Sequence, residues 1–106
     1  MRVRIGVGVF AASLLAAAAA RADAIDGAWC HEGQRLSISG PAIVTPAGTR
    51  TSGDYSRHAF SYVVPASEPK PGTTISMRLL NEETMHLRAA PDAAWETWLR
   101  CGPPIS

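Results

Sequence analysis

Residues 1–24 constrain this chain more than any other stretch, because they read as a segment that is removed before the protein works. Arg2 and Arg4 make a positive start, residues 5–20 carry no charge, and Ala22 and Ala24 frame a small-residue A-x-A site. A transmembrane helix needs about 20 apolar residues, and this run is shorter. The segment is therefore expected to be a cleavable signal peptide, cut after Ala24, with Ala22 as the alternative cut. Residues 25–106 remain as a single small domain, periplasmic or secreted.

Removing the leader takes away three arginines and one aspartate, so the formal charge of +1 for the whole chain becomes −1. Nucleic acid and anionic membrane surfaces call for a basic stripe, and none is present. Neither partner is expected, nor stable membrane insertion once the leader is gone. The 82 residues of 25–106 permit one modest core, at a size where a covalent staple helps. Cys30 and Cys101, near the two ends of that stretch, are expected to supply it as a disulfide in an oxidising compartment. Closing a loop of about 70 residues is worth on the order of 4 kcal/mol in the chain-entropy model.

Short runs of alternating polarity recur between Gly, Pro, Asn and Asp punctuation, which is the pattern of an all-β sandwich or barrel. Leu36 and Ile38 share a face, as do Ile75, Met77 and Leu79, and Met85 and Leu87. Residues 55–64 read as the longest strand, with His58, Phe60, Tyr62 and Val64 on one side. Three prolines and a glycine make 65–72 a loop. Residues 94–101 fit either a short helix or a strand, with strand favoured because every preceding element is one. The expected fold is a small antiparallel meander of about seven strands, a barrel or a sandwich.

No residue pattern supplies catalysis. Asp54, Ser56 and His58 share strand parity, but residues two apart on a strand stand about 6.5 to 7 Å apart with parallel side chains, and a Ser–His pair must touch. His31, His58 and His86 have no metal-ligand spacing, and Met77 and Met85 alternate with core residues. No catalytic, metal or cofactor-binding residue is assigned. The tryptophans are the remaining signal. If Cys30 and Cys101 are cross-strand neighbours, Trp29, Trp98 and Arg100 share the opposite face, and they are the candidate interaction patch.

Gly27-Ala28-Trp29 resembles the G-x-W first strand of the lipocalin superfamily, where the tryptophan plugs the barrel base and an arginine of the last strand packs on it. That resemblance implies Arg100 against Trp29, and a mouth for a small hydrophobic ligand. Asp26-Gly27-Ala28-Trp29-Cys30, Gly40-Pro41, Thr45-Pro46-Ala47-Gly48, Gly53-Asp54-Tyr55-Ser56-Arg57-His58 and Leu79-Leu80-Asn81-Glu82 resemble small exported proteins of Gram-negative bacteria that carry no assigned activity. This second resemblance implies a shared fold and a periplasmic address. The expected function is a non-enzymatic interaction or inhibitor-like module whose partner is another periplasmic protein. The alternative is a lipocalin-like carrier of a small hydrophobic ligand.

Overall fold

A computed structural model describes residues 24–102. The expected leader lies outside them apart from Ala24, as do residues 103–106. Nine strands follow one another: β1 (Gly27–His31), β2 (Gln34–Ser39), β3 (Ala42–Val44), β4 (Arg50–Ser52), β5 (Asp54–Ser56), β6 (Ala59–Val63), β7 (Thr74–Asn81), β8 (Thr84–Arg88) and β9 (Glu96–Arg100). They form one antiparallel sheet in the order β4-β3-β2-β1-β9-β8-β7-β6-β5. The first and last strands therefore pair at its centre. The two strands at its margins, β4 and β5, are consecutive in the chain with only Gly53 between them. A sheet ordered this way curls into a nearly closed barrel, with its seam along β4, Gly53 and β5.

The expected seven strands become nine, because Arg50–Ser52 is a strand of its own and residues 55–64 are not one strand. Tyr55 pairs with Phe60 and Ser56 with Ala59, so Arg57 and His58 form a tight turn between β5 and β6. No Gly or Pro punctuates it, which is why the alternation ran straight through in the sequence. Residues 94–101 resolve as strand over Glu96–Arg100.

The inward faces follow the period of two. Leu36 and Ile38 of β2, Ile43 of β3, Phe60 and Tyr62 of β6, Met77 of β7, Met85 and Leu87 of β8 are all buried in one cluster, with Ile75 and Leu79 packed against it. These side chains occupy the interior. Cys30 and Cys101 form a disulfide, with Cα atoms 5.1 Å apart, across the β1–β9 pair.

Side chains latch the seam where the backbone ladder fails. At one end the Asp26 carboxylate accepts the Gly40 amide at 2.8 Å and the Tyr55 hydroxyl, while the Ile25 amide donates to the Arg57 carbonyl at 2.8 Å. At the other, the fully buried Thr45 hydroxyl donates to the Glu68 carboxylate at 2.5 Å and accepts the Thr49 amide.

These contacts shift acidities in predictable directions. Burial alone would raise the Asp26 carboxyl, but the bonds from Tyr55, Gly40 and its own amide, with the Arg100 charge, hold it below the usual 3.8. The bond to Asp26 raises the Tyr55 phenol above 10, and burial, then the Glu68 charge, pushes Tyr62 up to about 12. Between pH 10 and 12 the folded chain thus holds a phenolic proton the unfolded chain has lost, so stability is full below pH 10 and falls as the pH rises through that window. On the acid side, the Asp26 contribution is full above pH 3.8 and disappears as the pH falls through its lowered folded value. Urea midpoints measured against pH should show both limbs. Tyr62→Phe should flatten the alkaline one and Asp26→Asn the acid one; a wild-type midpoint that does not move between pH 10 and 12 would contradict this.

Candidate functional site

Trp29 and Trp98 do not form an exposed patch. They are 0% and 1% exposed, so the surface expected at Trp29, Trp98 and Arg100 is corrected. The parity behind that expectation is present: Trp29 pairs with Arg100 and Cys30 with Leu99, which puts the three residues on the face opposite the cysteines. That face is the interior. The disulfide lies outside, and the tryptophans fill the barrel.

Arg100 closes the end of the barrel at the start of β1. Its guanidinium carbon lies 4.2 Å from the centre of the Trp29 ring, the contact that the G-x-W resemblance implies. Nη1 donates to the Asp26 carbonyl, Nη2 to the Ala24 carbonyl at 2.7 Å, and Nε to the Glu82 carbonyl at 2.7 Å. The Trp29 indole N–H donates to the Ile25 carbonyl at 2.9 Å. Gly27 leaves room for this knot, since a Cβ there would come within 2.7 Å of Nη1. Arg100→Lys keeps the charge but loses the planar fork, and should cost about 2 to 3 kcal/mol because carbonyls on three sides lose charge-assisted partners. Thermal melts measure this; an unchanged midpoint would mean the fork contributes nothing.

Trp98 closes the opposite end. Its indole N–H donates to Glu96 at 3.2 Å, and the His31 ring stacks on it at 5.2 Å, with His31 Nδ1 2.9 Å from the Thr97 carbonyl. Both mouths of the barrel are thus stoppered by aromatic rings.

The tryptophan on the outside is Trp95. It sits one residue ahead of β9, and its ring lies across the outer face of β7 and β8. The guanidinium carbons of Arg78 and Arg88 are each 4.3 Å from the ring centre, and His86 stacks against it at 5.9 Å. Each cation–π contact of this kind is worth about 0.5 to 1 kcal/mol at an exposed site. Strand register explains the grouping: Arg78 pairs directly with His86, and Arg88 lies two residues further along β8 on the same face. Beneath the ring, His86 Nδ1 and Arg88 Nε are buried without a hydrogen-bond partner. Buried polar groups are almost always paired, so two orphans in one cluster mark this place. No ion pair joins Arg78 or Arg88 to a carboxylate among the described residues.

Exposed apolar groups continue the face. Leu99, 54% exposed, pairs with Thr84, and Leu80, 47% exposed, lies at the bulge where β7 meets the same end of β8. Along the strands the outer surface of β7, β8 and β9 thus passes from Arg88, through Arg78 and His86, to the two leucines. No outward-facing position of these strands carries an acid.

The other candidates stay apart. Asp54 and Ser56 are exposed on β5, His58 is exposed in the following turn, and the Ser56 hydroxyl points to the Ala59 carbonyl at 3.4 Å. Among the described residues no group of three or more His, Cys, Asp or Glu side chains is placed to hold a metal ion, and no helix is long and apolar enough to cross a membrane.

Arg78 and the arginine-flanked Trp95 do not stand out in the sequence, where the parity argument points to Trp98 instead. The signal was available: Arg78, His86 and Arg88 are the polar partners of the core alternation in β7 and β8, and β9 parity puts Trp95 with them once Trp98 is inside. The Arg100–Trp29 contact does not by itself place the chain in a family, and no protein-family model, curated protein or solved structure matches it.

Proposed function

We propose that this is an exported, non-enzymatic interaction module, inhibitor-like in its mode of action, that works by surface contact through the outer face of β7, β8 and β9. The observation that carries this reading is the Trp95 cluster, where two arginines without a carboxylate partner and two orphaned polar atoms among the described residues lie against an aromatic ring, beside exposed Leu80 and Leu99. Tryptophan and arginine dominate the energetics of protein contacts, and apolar patches rimmed by polar groups mark them. The Cys30–Cys101 disulfide supports an oxidising compartment, periplasmic or extracellular. The carrier reading lacks such support, because the inward-facing side chains pack into one buried cluster.

Site-specific photo-crosslinking in the producing cell tests the proposal. A crosslinking residue at Thr97, on this face, should trap a discrete partner in the exported fraction, whereas one at Arg50, on the outer surface of β4, should not. The same adducts from both positions, or none from Thr97, would overturn it.

A further inference from the structure

Resting on that reading, we infer that the β7–β9 face recognises an extended acidic segment of a partner protein, with carboxylates at two alternate positions and an apolar side chain two residues further on. Charge complementarity comes first. The outward positions of these strands offer two arginines and a histidine and no acid, although the domain as a whole is slightly acidic. Guanidinium forks bind carboxylates in a bidentate fashion, and neither arginine has a carboxylate within the described residues.

Spacing comes second. Each guanidinium carbon is 4.3 Å from the same ring centre, so the two are at most about twice that apart. Alternate residues of an extended chain project to one side about 6.6 Å apart, a separation within the arginines' reach. The Leu80 and Leu99 pair lies one such step beyond the Arg78–His86 row, where the apolar side chain would rest. Trp95 stands outside the β9 ladder and is held by its side-chain contacts. Tilting it aside uncovers the Arg88 Nε–H, which has no acceptor among the described residues. A lipid surface fits less well, since headgroup recognition uses clusters of four to eight cations.

The test uses a synthetic peptide with the core Glu-Ser-Glu-Ser-Leu, followed by Trp fluorescence and calorimetry against the intact oxidised protein. Binding should weaken with salt, and Arg78→Gln and Arg88→Gln should each weaken it by about tenfold, as should moving the leucine to the other end of the core. Arg50→Gln should leave it unchanged. Equal binding of the rearranged peptide, or indifference to both arginine substitutions, would overturn the assignment. Tighter, arginine-dependent binding to phosphatidylglycerol vesicles would replace the peptide with a membrane. Failure of the peptide with a persisting Thr97 crosslink would sink only the acidic-segment assignment; loss of that crosslink would sink the interaction reading itself.

A second inference stands on the N-terminal knot. The structure assigns Ala24 to the folded domain: it is 8% exposed, and its carbonyl accepts Arg100 Nη2. Cutting after Ala24 would remove that acceptor and place an ammonium on Ile25, next to the guanidinium that the Asp26 carbonyl alone would then hold at this end. Ala20 and Ala22 also frame an A-x-A site, so the chain that folds best begins at Asp23. Intact-mass analysis of the exported protein should find Asp23 first, and a chain beginning at Ile25 should melt lower. An N-terminus at Ile25 with an undiminished melt would refute this, and retention of Met1 would refute cleavage of the leader.

Discussion

Gly53→Ala should be the most damaging single substitution in the barrel. A methyl group at Gly53 would come within 2.2 Å of the Ser61 carbonyl oxygen, 2.9 Å of the Phe60 ring and 3.0 Å of Tyr62 Cβ. The first of these is backbone, so no rotamer change relieves it. Gly53 also donates its amide to the Pro41 carbonyl at 2.9 Å, which fixes it against β3 while β6 presses from the other side. The strand cannot move away from one neighbour without leaving the other. Overpacking usually costs about 1 to 3 kcal/mol, and a clash with fixed backbone at a closure point should exceed the upper end. In a domain whose net stability is about 5 kcal/mol, that leaves a substantial unfolded fraction. Gly102→Ala is the control, because a Cβ there meets nothing within 4 Å. Equal urea midpoints for the two variants would show that the seam is not pinched.

Replacing both Cys30 and Cys101 with alanine should cost about 4 kcal/mol, since the bridge closes a loop of 71 residues in the unfolded chain. For a domain of this size the melting temperature should fall by roughly 20 °C. Thermal scans with and without reductant measure the same effect on the unsubstituted chain. A reduced protein that melts where the oxidised one does would show that the bridge adds no stability.

Much of the fold was legible because the core obeys strict alternation. Leu36 and Ile38, Met77, and Met85 and Leu87 face inward as their spacing predicts, and the two lone cysteines left one intramolecular pairing. What misled was local chemistry without local markers. The turn at Arg57 and His58 carries neither Gly nor Pro, so two strands read as one. Parity correctly placed Trp29, Trp98 and Arg100 together, yet alternation distinguishes two faces without saying which is inside. Burial is decided by closure of the sheet, a property of β1 meeting β9 across about 70 intervening residues. For the same reason parity gives Trp95 and its arginines a common face without gathering them into a group: Arg78 and Trp95 are neighbours only after β8 has inserted between their strands.

The covalent bridge and the seam lie on opposite sides of the curled sheet. Cys30 and Cys101 fasten its middle, and β4 and β5 are its two margins. Thermal breathing should therefore resemble a clamshell, with a riveted spine at β1 and β9 and lips at β3 and β6 that loosen on either side of the continuous β4–Gly53–β5 segment. Amide exchange should be quickest along the lips and slowest beside the rivet, so the β7–β9 platform, nearer the spine, keeps its shape while the far wall opens.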